Sequence, residues 1–341
     1  MTTTSTHAAF LTAARTLEIR QTSIPEPGAG EVLIRVTHVG LCGSDAHWYE
    51  DGRIGETGVG DGLILGHEFS GVIESGPRSG ERVAVDPAIP CLTCPPCRAG
   101  RTNLCLNIQF AGHGATDGAL RSHLVWPESC LVTLPEEMSS EDGSLLEPIG
   151  IALHAIDLAR AERAESVGVF GCGPIGLLLI SILKSMGVNE IVATDRLPHR
   201  LEAARRFGAS HALLATEDET ERQALVEVSG GGLDQTYETA GSDTALHSAM
   251  TAARPGTSVV LVGIPTGDHT SFNASLARRK ELRLGLCRRM LARDLNRAAD
   301  MFETLDLPGI VTHRYRLDLV DEAFQTLTSR RGLKVVVSPT A

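Results

Sequence analysis

The sequence lacks the features of a membrane-spanning or exported protein. No apolar run approaches the roughly 18 residues that suggest a membrane span. Residues 1–6 contain neither the basic region nor the apolar region of a secretory signal. We therefore expect a cytoplasmic protein that has no membrane partner.

The chain also lacks a long block of charge of one sign. It has 31 basic and 42 acidic residues and a net charge of −11, which disfavours nucleic acid and anionic surfaces as partners. No internal repeat, low-complexity tract or long linker is present either. Because 341 residues exceed the usual size of one hydrophobic core, two domains are expected.

Cysteine, in contrast, is concentrated in one short segment. Four of the eight cysteines follow the pattern Cys-x2-Cys-x2-Cys-x7-Cys, at Cys91, Cys94, Cys97 and Cys105. This spacing matches the reach of one tetrahedral zinc ion. In a reducing compartment such clustered thiols hold metal rather than form disulfides. The segment predicts a closed, structural zinc site.

A second set of metal-binding residue types lies upstream of this segment. Cys42 occurs in Gly-Leu-Cys-Gly-Ser-Asp, and Gly66 is followed by His67 and Glu68. The alternative for His67 is a buried core histidine, but the adjacent Glu68 and the upstream Cys42 favour a metal ligand. This mixed set of thiolate, imidazole and carboxylate predicts a second metal site, which is open.

The character of the sequence changes near Glu147. The part before it is rich in glycine and proline and has short alternating strands such as residues 31–36, which indicate a β-rich, barrel-like domain. From about Pro148 the pattern alternates between strand and helix, with an apolar strand at 167–170 and an apolar helix at 175–186. Such alternation predicts a parallel sheet.

A glycine-rich turn joins that strand to that helix in the pattern Gly-x-Gly-x-x-Gly. Its residues are Gly171, Cys172, Gly173, Pro174, Ile175 and Gly176. The glycines let backbone amides approach a pyrophosphate, and the helix N-terminus adds partial positive charge. The alternative is a turn that binds nothing, but the strand, the helix and a following acid favour a dinucleotide.

The following acid is Asp195, which ends the next predicted strand nineteen residues after Gly176. A carboxylate there accepts hydrogen bonds from a ribose and repels a 2′-phosphate, so NAD is favoured over NADP. Arg196 and Arg200 weaken this preference, because a guanidinium beside the acid can accommodate a phosphate.

Residues 259–262 predict another buried strand of the same sheet, with a turn at its carboxyl end. Ligands of doubly wound sheets lie at that edge. Val262 and Ile264 are therefore candidates to offer backbone groups to a nicotinamide. Plain strand packing is the alternative and explains their side chains equally well.

Five motifs together give the chain a family resemblance. They are Gly40-Leu41-Cys42-Gly43-Ser44-Asp45-Ala46-His47, Gly66-His67-Glu68-Phe69-Ser70-Gly71, the four-cysteine segment with Gly100-Arg101-Thr102-Asn103-Leu104-Cys105, Glu147-Pro148, and the glycine-rich turn. Over nearly its whole length the chain resembles the zinc-dependent medium-chain dehydrogenases of the alcohol dehydrogenase superfamily. Within them it resembles the polyol (sorbitol-like) and threonine dehydrogenase branches.

The resemblance implies an α/β protein with two kinds of domain. Residues 1–148 would form a GroES-like, β-rich catalytic domain that binds zinc. Residues 149–285 would form an NAD-binding Rossmann domain with a doubly wound parallel sheet, and residues 286–341 would return to the catalytic domain. The resemblance also implies a homotetramer or a homodimer.

The resemblance assigns roles to individual residues. It implies a catalytic zinc on Cys42 and His67, with Glu68 and Glu147 both candidates for one carboxylate role. It implies a proton relay from Ser44 to His47, although Ser44 as a turn residue and His47 as a surface histidine are the alternatives. It further implies cofactor contacts, which fall on Ile175, Asp195, Arg200, Val262 and Ile264.

These residue types permit one reaction in particular. Three protein ligands leave a zinc position open to an alcohol, whose pKa the metal lowers, and a hydride can then leave for NAD. The expected reaction is NAD-dependent oxidation of a secondary alcohol on a polyol, sugar or cyclitol. The alternatives are an amino alcohol such as threonine as substrate, and an NAD-binding regulatory or structural protein without catalysis. One departure from the polyol branch is Met290, which follows Arg289 where that branch usually has an aromatic residue.

Overall fold

The computed structural model describes residues 5–54, 57–160, 164–216, 218–265, 267, 269–307 and 309–340. The chain forms two compact units. Unit 1 comprises Met1–Glu147, Leu291–Asp300 and Gly309–Ala341, and unit 2 comprises Pro148–Met290 and Met301–Pro308. Each unit contains a cluster of buried apolar side chains of its own. None of the described helices is long and apolar enough to cross a membrane.

Short strands predominate in unit 1, whereas strands and helices alternate in unit 2. The strands of the described residues are β1 (Ser5–Ala13), β2 (Thr16–Ser23), β3 (Glu31–Gly40), β4 (Arg53–Ile54), β5 (Thr57–Gly58), β6 (Leu63–Ile64), β7 (Glu68–Ile73), β8 (Arg82–Val85), β9 (Ala88–Ile89), β10 (Gln109–Phe110), β11 (His123–Pro127), β12 (Leu131–Thr133), β13 (Ser166–Phe170), β14 (Glu190–Asp195), β15 (His211–Leu214), β16 (Leu233–Glu238), β17 (Ala253–Leu261), β18 (Arg283–Leu286), β19 (Val311–Arg316) and β20 (Lys334–Ser338). The helices are α1 (Gly43–Asp51), α2 (Pro95–Arg98), α3 (Ser140–Gly143), α4 (Leu146–Ala159), α5 (Pro174–Ser185), α6 (Pro198–Arg206), α7 (Glu219–Ser229), α8 (Asp243–Ala252), α9 (Ala274–Arg279), α10 (Ala292–Met301) and α11 (Val320–Thr328).

Strand β3 is the centre of the larger sheet of unit 1. The strand order is β12-β8-β7-β3-β20-β19, and β11 also pairs with β3. Val32, Ile34 and Val36 are buried and alternate with more exposed residues, as expected for a strand with one face on the core. The pairing of β3 with β7 and β20 places Gly40 opposite Glu68 on one side and Val336 on the other. The predicted β-rich character of this part of the chain is confirmed.

Unit 2 contains a parallel sheet with the strand order β15-β14-β13-β16-β17-β18. Each neighbouring pair of strands is parallel. Numbered from β13, this order is 3-2-1-4-5-6, the doubly wound arrangement in which dinucleotides bind where the strand order reverses. That reversal lies between β13 and β16. The predicted Rossmann sheet is therefore confirmed.

Helix α5 begins directly at the glycine-rich turn. Gly173 is its N-cap and Pro174 its first residue, where the fixed φ of proline suits a helix and no amide hydrogen bond is lost. Residues 177–183 are all buried, which explains why this helix is apolar on every side. The helix predicted at 175–186 is confirmed, with both ends one residue earlier in the chain.

Candidate functional site

The four-cysteine segment of unit 1 brings its sulfur atoms together. The Sγ atoms of Cys91, Cys94, Cys97 and Cys105 lie within 4.8 Å of one another, and the last three residues are buried. The backbone N–H groups of Cys91 and Asn107 donate to Cys105 Sγ, at 3.2 and 3.4 Å. Four sulfur donors at this separation, held by N–H groups that favour thiolates, fit a closed tetrahedral zinc site.

The thiols of this segment have unequal environments. Hydrogen bonds from the backbone and side chain of Thr93 and from the backbone of Cys94 lower the pKa of Cys91 to about 5. Burial raises the pKa of Cys97 to about 12, and hydrogen bonds with Cys94 and Cys105 act in the same direction. Since a metal binds thiolates, the raised pKa of Cys97 means that protons compete with a metal at this thiol.

A second group of metal-binding atoms lies at the end of β3. The candidate ligand atoms of Cys42, His67 and Glu68 lie within 4.8 Å of one another. Cys42 is the N-cap of α1, two residues after the end of β3, and Glu68 is the first residue of β7, which pairs with β3. His67 and Glu68 are buried, whereas Cys42 is only half-buried. One thiolate, one imidazole and one carboxylate match the ligand types of a zinc site with three protein ligands.

Asp45 holds His67 in a fixed orientation. Its carboxylate is fully buried, with Oδ1 at 3.4 Å from His67 Nδ1 and Oδ2 accepting the N–H of Cys42 at 2.9 Å. His67 Nε2 is then directed towards Ser44 Oγ, at 3.4 Å. Burial lowers the pKa of His67, but the charge of Asp45 and the hydrogen bonds to Asp45 and Cys42 outweigh it and raise the pKa well above its usual value. A carboxylate in this position orients a metal-binding imidazole and makes it more basic.

Lys334 is a fully buried cation beside the same group. Its ammonium contacts the Glu68 carboxylate and donates to the carbonyl oxygen of Leu41 at 3.0 Å. Burial lowers the pKa of Lys334, but the charges of Glu68 and Cys42 outweigh it, so the pKa lies above its usual value and the lysine stays charged. The ion pair places the positive charge of Lys334 next to the candidate metal ligands Glu68 and Cys42.

Glu147 lies close to this group without belonging to it. Among the described residues, the ligand atoms that lie within 4.8 Å of one another include Glu68 but not Glu147. Glu147 is buried, and burial raises its pKa to about 8; His67 and Lys334 act against this rise and Glu68 adds to it. The geometry therefore groups Glu68, rather than Glu147, with Cys42 and His67.

The two residues of the predicted proton relay lie on helix α1. Ser44 and His47 are three residues apart, which places them on one face of the helix, and both are half-buried. Ser44 is in contact with the metal-binding group through His67. His47 lies one turn further along α1.

The glycine-rich turn of unit 2 leaves no room for a side chain at Gly176. A Cβ atom on Gly176 would overlap the carbonyl oxygen of Gly171 and lie 3.1 Å from Thr239 Oγ1. Asp195, at the carboxyl end of β14, accepts the N–H of Cys172 at 2.7 Å and lies 4.0 Å from Arg200 Nη1. A glycine turn, a helix N-terminus and a buried carboxylate are thus together at one sheet edge, which fits a dinucleotide.

Val262 and Ile264 lie in the turn after β17. The Val262 N–H donates to the carbonyl oxygen of Glu238 at 2.7 Å, so a contact with a cofactor would fall to the carbonyl of Val262. Ile264 is 53% exposed, which argues against plain strand packing as its role.

Sequence reasoning missed three buried charged residues that lie beside the candidate sites, Asp45, Lys334 and Glu238. The sequence could have indicated Asp45, because it stands three residues after Cys42 and closes the capping box of α1. It indicated Lys334 less clearly, through a lysine that directly precedes three valines of a strand. No local motif marks Glu238, which is 2% exposed at the carboxyl end of β16.

Comparison with known proteins agrees with the assignment of both units to a dehydrogenase. A family model described as the alcohol dehydrogenase GroES-like domain matches residues 28–136, and one described as zinc-binding dehydrogenase matches residues 174–304. Sorbitol dehydrogenase of Bacillus subtilis (strain 168) is 32% identical over 343 residues, which cover 97% of each chain. Probable D-xylulose reductase A of Neosartorya fischeri is 33% identical over 320 residues, which cover 90% of this chain and 89% of the relative.

A solved structure extends the likeness to three dimensions. A short chain alcohol dehydrogenase (RspB) of Escherichia coli CFT073, solved in complex with the cofactor NADH, matches with a TM-score of 0.89 and 27% identity, covering 98% of this chain and 99% of that one. The matches define an oxidoreductase of the alcohol dehydrogenase type. This chain belongs to the zinc-binding dehydrogenase family, and the resemblance drawn from its motifs is confirmed.

Proposed function

We propose that the protein oxidises a secondary alcohol of a polyol, sugar or cyclitol with NAD+, at a zinc site made by Cys42, His67 and Glu68. The observation that carries this proposal is the clustering of their ligand atoms within 4.8 Å. The relatives named as sorbitol dehydrogenase and D-xylulose reductase favour a polyol over an amino alcohol such as threonine. In this proposal the four cysteines Cys91, Cys94, Cys97 and Cys105 hold a second, structural zinc.

The reaction removes a proton and a hydride from the alcohol. A zinc ion held by Cys42, His67 and Glu68 would supply the Lewis acidity that lowers the pKa of the alcohol, and a bound NAD+ would supply the hydride acceptor. Ser44 accepts the hydroxyl proton and passes it towards His47 and solvent. Asp45 keeps His67 in its orientation, and Lys334 balances the charge of Glu68.

The proposed nucleotide site lies wholly in unit 2. The turn formed by Gly171, Gly173, Pro174, Ile175 and Gly176 receives the pyrophosphate, and Asp195 accepts the adenosine ribose hydroxyls. Arg200 flanks that carboxylate. Val262 and Ile264 contact the nicotinamide. Since Asp195 is a buried carboxylate, it excludes the 2′-phosphate, and we propose NAD rather than NADP.

We propose a homotetramer or a homodimer, which rests on the family resemblance. We also propose that the protein is cytoplasmic, as its sequence leads us to expect. Analytical ultracentrifugation of the purified protein measures the first, and a single monomeric species would contradict it.

The test of the proposed function is NADH absorbance in the presence of a panel of polyols, sugars, cyclitols and threonine, with NAD+ and NADP+ compared. Cys42→Ala and His67→Ala should abolish turnover and leave NADH binding intact, whereas Cys130→Ala, a thiol outside both clusters, should leave turnover unchanged. Turnover of Cys42→Ala at the wild-type rate would refute the assigned site. NADH binding without turnover on any alcohol would favour the regulatory or structural alternative.

A further inference from the structure

Glu238 is a buried acid for which the proposed reaction has no role. It ends β16, the strand that neighbours β13 at the point where the strand order reverses. Its side chain is 2% exposed. Dinucleotides bind at this edge of a doubly wound sheet, so the position is one where a buried acid can affect binding.

Glu238 joins two turns at that edge. Its Oε1 accepts the N–H groups of Ala240 and Gly241, each at 2.7 Å, and that of Ser242 at 3.4 Å. Its backbone carbonyl accepts the N–H groups of Val262 and Gly263, at 2.7 and 3.0 Å. One residue therefore holds the turn after β16 with its side chain and the turn after β17 with its backbone.

The two turns are also packed directly against each other. A Cβ atom on Gly263 would lie 2.8 Å from Glu238 Oε2 and overlap the backbone nitrogen of Gly241. A Cβ atom on Gly241 would overlap the carbonyl oxygen of Ile264. Because neither position has room for a side chain, the glycines allow a contact that Glu238 then fixes.

Burying a carboxylate to close a turn costs free energy. Burial raises the pKa of Glu238, and the three backbone N–H groups act against that rise. An apolar residue would satisfy strand packing without this cost, since burying a charge is unfavourable unless it is well compensated. Unlike an apolar side chain, the carboxylate accepts hydrogen bonds from three consecutive N–H groups and so holds them in one arrangement.

We propose that Glu238 is a positioning residue for the nicotinamide half of the dinucleotide, holding the turn at 240–242 against the turn at 262–264. The inference rests on the proposed function, because Val262 and Ile264 are the residues proposed to contact the nicotinamide. It predicts that loss of the carboxylate weakens binding of that half alone. The adenosine half, held by the glycine-rich turn and Asp195, should be little affected.

In a calorimetric titration of the full chain, two ligands distinguish binding of the nicotinamide half from binding of the adenosine half. NADH has both halves, whereas ADP-ribose lacks the nicotinamide. Glu238→Ala should weaken NADH binding about tenfold, as expected for lost hydrogen bonds to a charged acceptor, and change ADP-ribose binding less than about threefold. Glu238→Gln retains an acceptor oxygen and should keep NADH affinity within about threefold of the wild type.

Asp234 provides a matched control on the same strand. Its carboxylate accepts the N–H groups of Glu165 and Ser166, at 3.0 and 3.1 Å, at the opposite end of β16. Asp234→Ala removes comparable hydrogen bonds far along the strand from the proposed site. It should lower thermal stability and leave both affinities unchanged.

Gly263→Ala tests the contact between the two turns without removing the carboxylate of Glu238. It replaces Glu238→Ala in the test if that variant does not fold. Its added Cβ should push the two turns apart and weaken NADH binding while ADP-ribose binding persists. Equal losses of affinity for both ligands, or an equal loss of NADH affinity in Asp234→Ala, would overturn this inference but not the proposed function. A wild-type protein that binds neither nucleotide would overturn the proposed function and this inference with it.

Discussion

At the scale of single residues, buried charges distinguish the metal-binding group from the apolar core around it. Lys334 and Glu68 are each about 1% exposed and form an ion pair between strands β20 and β7, on either side of β3. Removing one member of a buried pair leaves the other charge uncompensated, which costs far more than the pair itself contributes. The pair therefore offers a direct test of the electrostatics at the site.

In the metal-free protein, Lys334→Met should lower the free energy of unfolding by about 3–5 kcal/mol, because Glu68 is left as an uncompensated buried charge. The double variant Lys334→Met/Glu68→Gln should recover part of that loss. Denaturant unfolding measures both, with Lys184→Met as the control because Lys184 is exposed. Additive effects of the two substitutions would contradict the pairing.

Asp86 gives a prediction about pH. Burial raises the pKa of Asp86 to about 6, and the charge of Asp294 adds to the rise while a hydrogen bond from the Ala88 N–H opposes it. Since the folded pKa exceeds the unfolded value, the stabilising contribution is fully present below the unfolded pKa and is lost as pH rises through about 6. Between about pH 5 and 7.5 the wild type should lose about 1.5 kcal/mol relative to Asp86→Asn. Equal pH dependence of the two proteins in denaturant unfolding would contradict this account.

At the scale of elements, the four-cysteine segment has little structure of its own. Its only α-helix in the described residues is α2, four residues long, and the buried apolar cluster around it consists mainly of the cysteines. A segment so poor in apolar contacts depends on its metal, because a structural zinc contributes folding energy directly.

Cys97→Ser should therefore impair folding or assembly more than it impairs the turnover of the surviving protein. Thermal unfolding and the yield of soluble protein measure the first, and turnover per folded molecule measures the second. Cys130→Ser is the matched control, since Cys130 is a half-buried thiol outside the cluster. A Cys97→Ser protein as stable as the control would show that the segment is dispensable.

The elements that sequence could predict are those specified by local pattern. The strand at 167–170 and the apolar helix after the glycine-rich turn follow from runs of apolar residues, which end at Gly171 and Gly187. The contact of Lys334 with Glu68 could not be predicted in this way, because the two residues are 266 positions apart and meet only through the pairing of β20 and β7 with β3. The ligand candidates were found because their motifs are local, and their buried partners were missed because those contacts are not.

At the level of the whole molecule, the chain has one unit with a candidate metal site and one unit with a candidate nucleotide site. Unit 1 holds the three clustered candidate ligands, and unit 2 holds the glycine-rich turn of a doubly wound sheet. Hydride transfer to NAD+ requires one molecule to bind both an alcohol and a dinucleotide. The family matches extend over both units, which supports an oxidoreductase rather than either half acting alone.

The central claim is that a metal held by Cys42, His67 and Glu68 makes the alcohol reactive. The most direct measurement is NADH formation from the best substrate of the panel before and after a chelator removes the metal, with NADH binding followed in the same sample. Turnover should fall to background while NADH still binds, and added zinc should restore turnover. Undiminished NADH formation by the metal-free protein would contradict the account.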